Sequence, residues 1–145
     1  MTYMGLDYGS VTVGVAISDS KGTVATPLET ITRKKENQVR RTLARLEAVI
    51  ETYHIQTIVL GNPKNMNDTD GERVERTLEF KEKLEKRTNL PVILWDERLT
   101  TVAAKSALTE TGVKEYKQKK YVDALAATLI LQGYLDSKEM DHETE

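Results

Sequence analysis

Three short segments rich in Val, Ile, Thr and Tyr, about residues 3 to 8, 11 to 18 and 24 to 32, fill the start of the chain, separated by the turn-forming stretches "YGS" and "DSKG". That pattern predicts a meander of antiparallel strands. Beyond it the period changes. From about Glu36 to Tyr53 the residues Val39, Leu43, Leu46, Val49 and Ile50 recur at helical spacing with charge between them, which predicts an amphipathic helix. "IQTIVLGNP" reads as a short buried strand stopped by Gly61 and Pro63, followed by a polar loop and a second helix from about Gly71 to Arg87. "LPVILWDE" gives another buried strand with Pro91 at its mouth, and two helices are expected near Thr100 to Glu110 and Lys120 to Asp136. The connector "TGVKEYKQKK" between them is expected to be flexible, basic and exposed. The order β-β-β-α-β-α-β-α joins an antiparallel start to strands with helical crossovers. The expected fold is therefore α/β, a mixed sheet with helices on both faces.

A chain of 145 residues is the size of one compact domain with a substantial core. It contains no cysteine, which removes disulfides, thiolate zinc sites and cysteine nucleophiles together. No basic n-region precedes a long apolar run and no stretch approaches transmembrane length, so a soluble cytoplasmic protein with no membrane partner is expected. The overall formal charge is -2, but the tail from Asp136 to Glu145 carries five acids and one lysine, leaving +2 on the remainder. Bases cluster at Arg33-Lys34-Lys35, at Arg40-Arg41 and from Lys114 to Lys120. A solvated helix face would look the same, so these clusters permit nucleic-acid binding without demanding it.

Three acidic positions sit beside apolar sequence at the end or in the interior of an element. Asp7 interrupts "MGLDYGSVTVGVAISD", and a strand carboxylate is costly to desolvate unless it is paired, hydrogen-bonded or coordinated. An Asx-type turn with Gly9 and Ser10 would explain it equally well. In "VILWDERLTT", alternation puts Val92, Leu94 and Asp96 on one face and Ile93, Trp95 and Glu97 on the other, so only one of the two acids can point at a given site. Acids that end strands and precede helices are also common for dipole reasons alone. Asp123, in "KKYVDALAATLILQGYLD", shares a helix face with Ala127 and Ile130 on a helix apolar nearly all round, although a first-turn acid would again suffice. Together the three could form an all-oxygen pocket suited to Mg²⁺ or Mn²⁺. His54 and His142, the only histidines, lack ligand spacing, and no G-x-S-x-G nucleophile motif is present.

The blocks "MGLDYGSVTVGVAISD", "IVLGNPKNMNDTDGERVE", "VILWDERLTT" and "KKYVDALAATLILQGYLD" follow the order and spacing of the YqgF/RuvX family, whose members carry the names pre-16S rRNA nuclease and Holliday junction resolvase. The resemblance runs through nearly the whole chain. It implies an RNase H-like fold with a five-stranded mixed sheet, a single nuclease domain over residues 1–137 and an acidic, flexible tail over 138–145. It also implies a metal-dependent acidic site in which Asp7, Glu97 and Asp123 are both the catalytic residues and the ligands of Mg²⁺ or Mn²⁺. Asn62, Lys64 and Asn65 match the family's glycine-proline loop, and Arg98 lies where it could contact a phosphate. Family members commonly carry a base just after the G-S/T turn, where this chain has Val11-Thr12, so the basic connector is expected to supply more of the charge.

The expected activity is hydrolysis of phosphodiester bonds in structured nucleic acid by a two-metal-ion mechanism, with the 5′ end of pre-16S rRNA as the favoured substrate. Backbone phosphates would be held by Lys64, Asn65, Arg98, Lys117, Lys119 and Lys120. Gly5 and Gly9 would leave room for backbone, metal and phosphate. Cutting of four-way DNA junctions is the nearest rival and wants a two-fold homodimer. A non-catalytic RNA-binding assembly factor is another. The phosphate loop of actin-like ATPases also opens with D-x-G and Ser or Thr, but those enzymes close nucleotide between two domains, and this chain has length for one.

Overall fold

The computed structural model describes residues 1–62, 71–96 and 115–143, with side chains in the last of these segments described over 122–138. Five strands form one sheet: β1 (Tyr3–Tyr8), β2 (Thr12–Ser18), β3 (Ala25–Thr32), β4 (Thr57–Asn62) and β5 (Val92–Asp96). Three helices accompany them: α1 (Arg40–Tyr53), α2 (Gly71–Thr88) and α3 (Glu115–Glu143). The strand order is β3-β2-β1-β4-β5. β1 pairs with β2, and β2 with β3, antiparallel, whereas β1 with β4, and β4 with β5, run parallel. The expected antiparallel meander and helical crossovers are both present.

Alternation along the strands sends two sets of side chains to two layers. Met4, Leu6, Tyr8, Val13, Val15, Ile58, Leu60 and Val92 pack with Leu43, Leu46 and Val49 of α1 and with Phe80 and Leu84 of α2. On the other face Tyr3, Ala16, Ala25 and Val59 pack with Ala127, Ile130, Leu131 and Leu135 of α3, and Trp95 and Tyr134 close the margin. Each fully buried Leu or Ile contributes about 1.5–3 kcal/mol relative to exposure, which makes this two-sided burial the main force holding the sheet. Pro27 sits in the edge strand β3, beside the register shift between Val15 and Ala16, where a missing N–H is tolerated.

Local chemistry sets the element ends. Gly9 N–H donates to the Thr12 carbonyl at 2.7 Å and closes the β1–β2 turn. The β2–β3 turn uses Gly22 at φ 68°, with Asp19 accepting bonds from the Thr23 N–H, the Thr23 hydroxyl and the Val24 N–H at 2.7, 2.7 and 3.0 Å. α1 ends at His54 in the left-handed region, φ 55°, and Asn89 does the same after α2, φ 57°.

Two boundaries differ from expectation. α1 starts at Arg40 and not near Glu36, because residues 33–38 are tied into a turn: Arg33 Nε donates to the Glu36 carbonyl at 3.3 Å and Gln38 N–H to the Lys35 carbonyl at 3.1 Å. α3 starts at Glu115, so the second half of the supposed connector is helical. "EYKQKK" contains good helix formers and no glycine or proline, and its charge disguises that propensity. The helix expected near Thr100 to Glu110 lies outside the described residues. Among the described residues, no helix is long and apolar enough to cross a membrane.

Candidate active site

The carboxyl ends of the parallel strands β1, β4 and β5 lie along one rim of the sheet, and β1/β4 is where the direction of chain progression reverses. In open α/β sheets this is where ligands settle. Asp7 occupies that position. It is the residue after the last β1–β4 rung, Leu6 with Leu60, and it still pairs with Gly14 of β2. Directly opposed residues of an antiparallel pair face the same way, so Asp7 projects to the side of Gly14, which is the α3 side.

Gly14 explains how α3 reaches this point. A Cβ placed on Gly14 would lie 1.8 Å from the main-chain oxygen of Asp123 and 2.2 Å from its carbonyl carbon. The backbone at Asp123 therefore rests directly on the residue that pairs with Asp7, and only glycine leaves space for it. Further along the helix, Ala127 O and Leu131 Cβ stand 2.9 and 2.7 Å from the Cβ position of Gly5. The room expected at Gly5 for metal and phosphate is thus filled by α3; its function is close helix–sheet packing. Asp7 and Asp123, 116 residues apart in sequence, are both neighbours of Gly14, and both are partly buried.

Trp95 packs into the α3 layer, edge-on to Tyr134 at 6.0 Å between ring centroids, with Nε1 3.1 Å from the Cβ position of Gly133. Val92 and Leu94 belong to the opposite layer, and Asp96 has their parity. β5 therefore directs Asp96 away from the Asp7 face. Glu97, Arg98, Lys64 and Asn65 lie outside the described residues. Lys117, Lys119 and Lys120 fall in the first turns of α3. Asn62, the last residue of β4, is 8 % exposed, and among the described residues its Oδ1 has no hydrogen-bond partner. Among the described residues, no three His, Cys, Asp or Glu side chains are grouped to hold a metal ion. Asp7 and Asp123 offer hard oxygen donors without competing His or Cys, a donor set that fits Mg²⁺ or Mn²⁺.

On the opposite face, the β1–β2 turn is fastened by a residue that the sequence leaves hidden in a charge cluster. Arg33 is only 7 % exposed. Its Nη2 donates to the Gly9 carbonyl at 2.6 Å, its main-chain N–H donates to the Val11 carbonyl at 2.7 Å, and its guanidinium stacks 4.6 Å from the Tyr8 ring centroid. Tyr8 in turn stacks on Phe80 at 4.2 Å. Arg73, which pairs with Glu36 at 2.8 Å, approaches the same Tyr8 ring at 5.2 Å. Nothing in "RKK" distinguishes Arg33 from its two lysine neighbours, which are exposed.

A family model described as RuvX, Holliday junction resolvase, matches residues 1–137. The chain belongs to the RuvX family. Relatives named "Putative pre-16S rRNA nuclease" include one from Lachnospira eligens, 54% identical over 139 residues covering 96% of this chain and 99% of the relative. Another, from Bacillus subtilis, is 50% identical over 137 residues covering 94% and 99%. Among solved structures, RuvC from Thermus thermophilus in complex with a Holliday junction substrate superposes with a TM-score of 0.61 at 18% identity, covering 96% of each chain. That likeness concerns the fold, and it agrees with the RNase H-like architecture expected of a RuvX family member.

Proposed function

We propose that this RuvX family chain is a divalent-metal-dependent nuclease that hydrolyses phosphodiester bonds in structured nucleic acid, with the 5′ end of pre-16S rRNA as its substrate. The observation that carries the reading is the seating of the Asp123 backbone on Gly14, the strand partner of Asp7, at the β1/β4 reversal point. The names of the relatives from L. eligens and B. subtilis support the rRNA substrate.

Asp7, Glu97 and Asp123 hold Mg²⁺ or Mn²⁺ in a two-metal-ion site, where the ions, when bound, supply charge neutralisation at the phosphoryl oxygens and acidify the attacking water. In the hydrolysis an oxygen of water bonds to phosphorus as the bond from phosphorus to the leaving oxygen breaks. The chain's part is to fix the three carboxylates against the scissile phosphate. Asp7 is fixed by the β1–β2 ladder and by the turn that Arg33 fastens. Asp123 is fixed by the Gly14 contact, and Glu97 is next in sequence to Asp96, the last residue of β5. Lys64, Asn65, Arg98, Lys117, Lys119 and Lys120 hold backbone phosphates, with affinity that falls as salt rises.

The test is an Asp7→Asn variant assayed on a pre-16S 5′ leader with Mg²⁺, Mn²⁺ or chelator. The expected result is a folded protein with at least about 10²-fold lower cleavage, and no cleavage by the unaltered chain in chelator. Full activity of folded Asp7→Asn would overturn the mechanism. The family model's description and the RuvC likeness favour, as a second reading, resolution of four-way DNA junctions. That reaction needs two sites related by a two-fold axis, so a monomer cutting the leader but not a junction would eliminate it.

A further inference from the structure

A second cationic feature opens on the far side of the β1–β2 turn. Between the end of β3 and the start of α1 lies a cavity of about 620 Å³, lined among others by Arg33, Lys34, Gln38, Arg40, Arg41 and Thr42. Among the described lining residues four are basic and none is acidic. Among the described residues no ion pair engages Lys34, Arg40 or Arg41. The 14-residue helix α1 begins here with no side-chain cap and no acid in its first turn. Its open N–H groups and the positive end of its dipole therefore face the same region as Arg40 and Arg41, which is unfavourable until an anion arrives.

Two buried polar groups belong to the same lining. Thr42 is 1 % exposed, and among the described residues its hydroxyl has no hydrogen-bond partner. Arg33, 7 % exposed, keeps Nη1 unpartnered while Nη2 holds Gly9. Buried unsatisfied groups of this kind cost stability in the free protein, and native chains carry few of them. A water could satisfy either one singly. An anion answers the Thr42 hydroxyl, the helix terminus and the surplus of positive charge together.

We propose that this cavity is an anchor for a backbone phosphate of the nucleic-acid strand, separate from the acidic site. The assignment rests on the nuclease reading for its choice of a strand over a free anion. Thr32 and Thr12 form the last β2–β3 rung, so the cavity opens on the same rim of the sheet as Asp7. Measured along the sheet alone, the offset is two strand spacings, about 10 Å. That is about three nucleotides at an axial rise of 3.4 Å per nucleotide of one strand. Asp7 faces α3 whereas α1 covers the other face, so a strand occupying both sites bends over the rim. A single-stranded flank beside the cut does this readily.

The experiment measures binding of a labelled single-stranded 12-nucleotide RNA to the full chain in chelator, from 50 to 300 mM KCl. It compares the unaltered protein with Arg40→Gln/Arg41→Gln and with Thr42→Val, while inorganic phosphate is titrated separately against the amide resonances of residues 40 to 43. The double variant should bind at least about tenfold more weakly, with the salt slope shallower by about 0.7, the single-strand value for one phosphate contact. Thr42→Val should bind several-fold more weakly with the slope unchanged, and should melt no lower than the unaltered protein because it removes an orphaned hydroxyl. An unchanged affinity and slope in the double variant overturns the anchor. So does inorganic phosphate shifting the residue 40–43 amides as tightly as the RNA does, which would make this a free-anion site. A protein that cuts RNA in Mg²⁺ yet shows either result leaves the nuclease reading standing and removes the anchor; one that neither binds nor cuts nucleic acid removes both.

Discussion

Replacing Gly14 by alanine tests whether the α3 contact builds the acidic site. The new Cβ would sit 1.8 Å from the Asp123 carbonyl oxygen, far inside any real separation, and the atom it meets is helix backbone that cannot rotate away. Relief requires the helix to retreat by about 1.7 Å at Asp123, given optimal heavy-atom contacts of about 3.5 Å. Overpacking of this kind costs about 1–3 kcal/mol. Misplacement of a catalytic group by about 1 Å costs about 10²-fold in rate. The α1/α2 layer does not involve Gly14, so the variant should still fold. Graded controls exist in the same chain. Gly5→Ala meets Leu131 Cβ at 2.7 Å and should be less severe, and Gly71→Ala meets nothing within 4 Å among the described residues and should be neutral. The measurements are urea denaturation, the fluorescence of Trp95, the sole tryptophan, which packs against α3 at Gly133, and Mg²⁺-dependent cleavage. The losses should rank Gly14 above Gly5 above Gly71. A Gly14→Ala protein with unaltered stability and a cleavage rate within about twofold of the parent would refute the reasoning.

Arg33→Lys keeps the charge but loses the planar fork that reaches Gly9 and stacks on Tyr8. It should cost about 1–3 kcal/mol in denaturation and speed amide exchange at Gly9; unchanged exchange there would show that the turn stands without Arg33. Asp19 should titrate at about 2, below the usual 3.8, because the Val24 N–H, then the Thr23 hydroxyl and N–H, bond its ionised form. With the folded value depressed, its contribution to stability is present above pH 3.8 and is lost as the pH falls toward 2, so Asp19→Asn should flatten the acid limb of the stability curve over that window. An NMR titration placing Asp19 near 3.8 would contradict this. Glu29→Gln, which breaks the half-exposed pair with Arg45, should change stability by less than about 1 kcal/mol, and a larger loss in thermal melts would contradict the weak-pair reasoning.

Periodicity was enough to read the sheet, because its signals are local. Alternation in "YMGLDY" and "TVGVAIS" and the 3.6-residue repeat of Leu43, Leu46 and Val49 each report burial on one element. Asp7 and Asp123 were legible as carboxylates set in apolar surroundings, and the division between Trp95 and Asp96 followed from alternation alone. Gly14 was not legible. It reads as an ordinary strand glycine until a helix over a hundred residues later is laid across it, and no local pattern encodes that approach. The same holds for Arg33 and Thr42, whose neighbours in sequence share their composition. Their burial depends on where the β3–α1 turn places them, a tertiary fact.

The central place of β1 in the sheet bears on how this protein loses activity. β1 has a hydrogen-bonded neighbour on each side and a helical layer on each face, so its amides should exchange with solvent only when the whole domain opens. Asp7 is carried on that strand. Local breathing of edge strands and helix ends can then slow binding, but it leaves the first carboxylate where it was. On heating, that carboxylate should keep its position until the cooperative transition and lose it together with the fold.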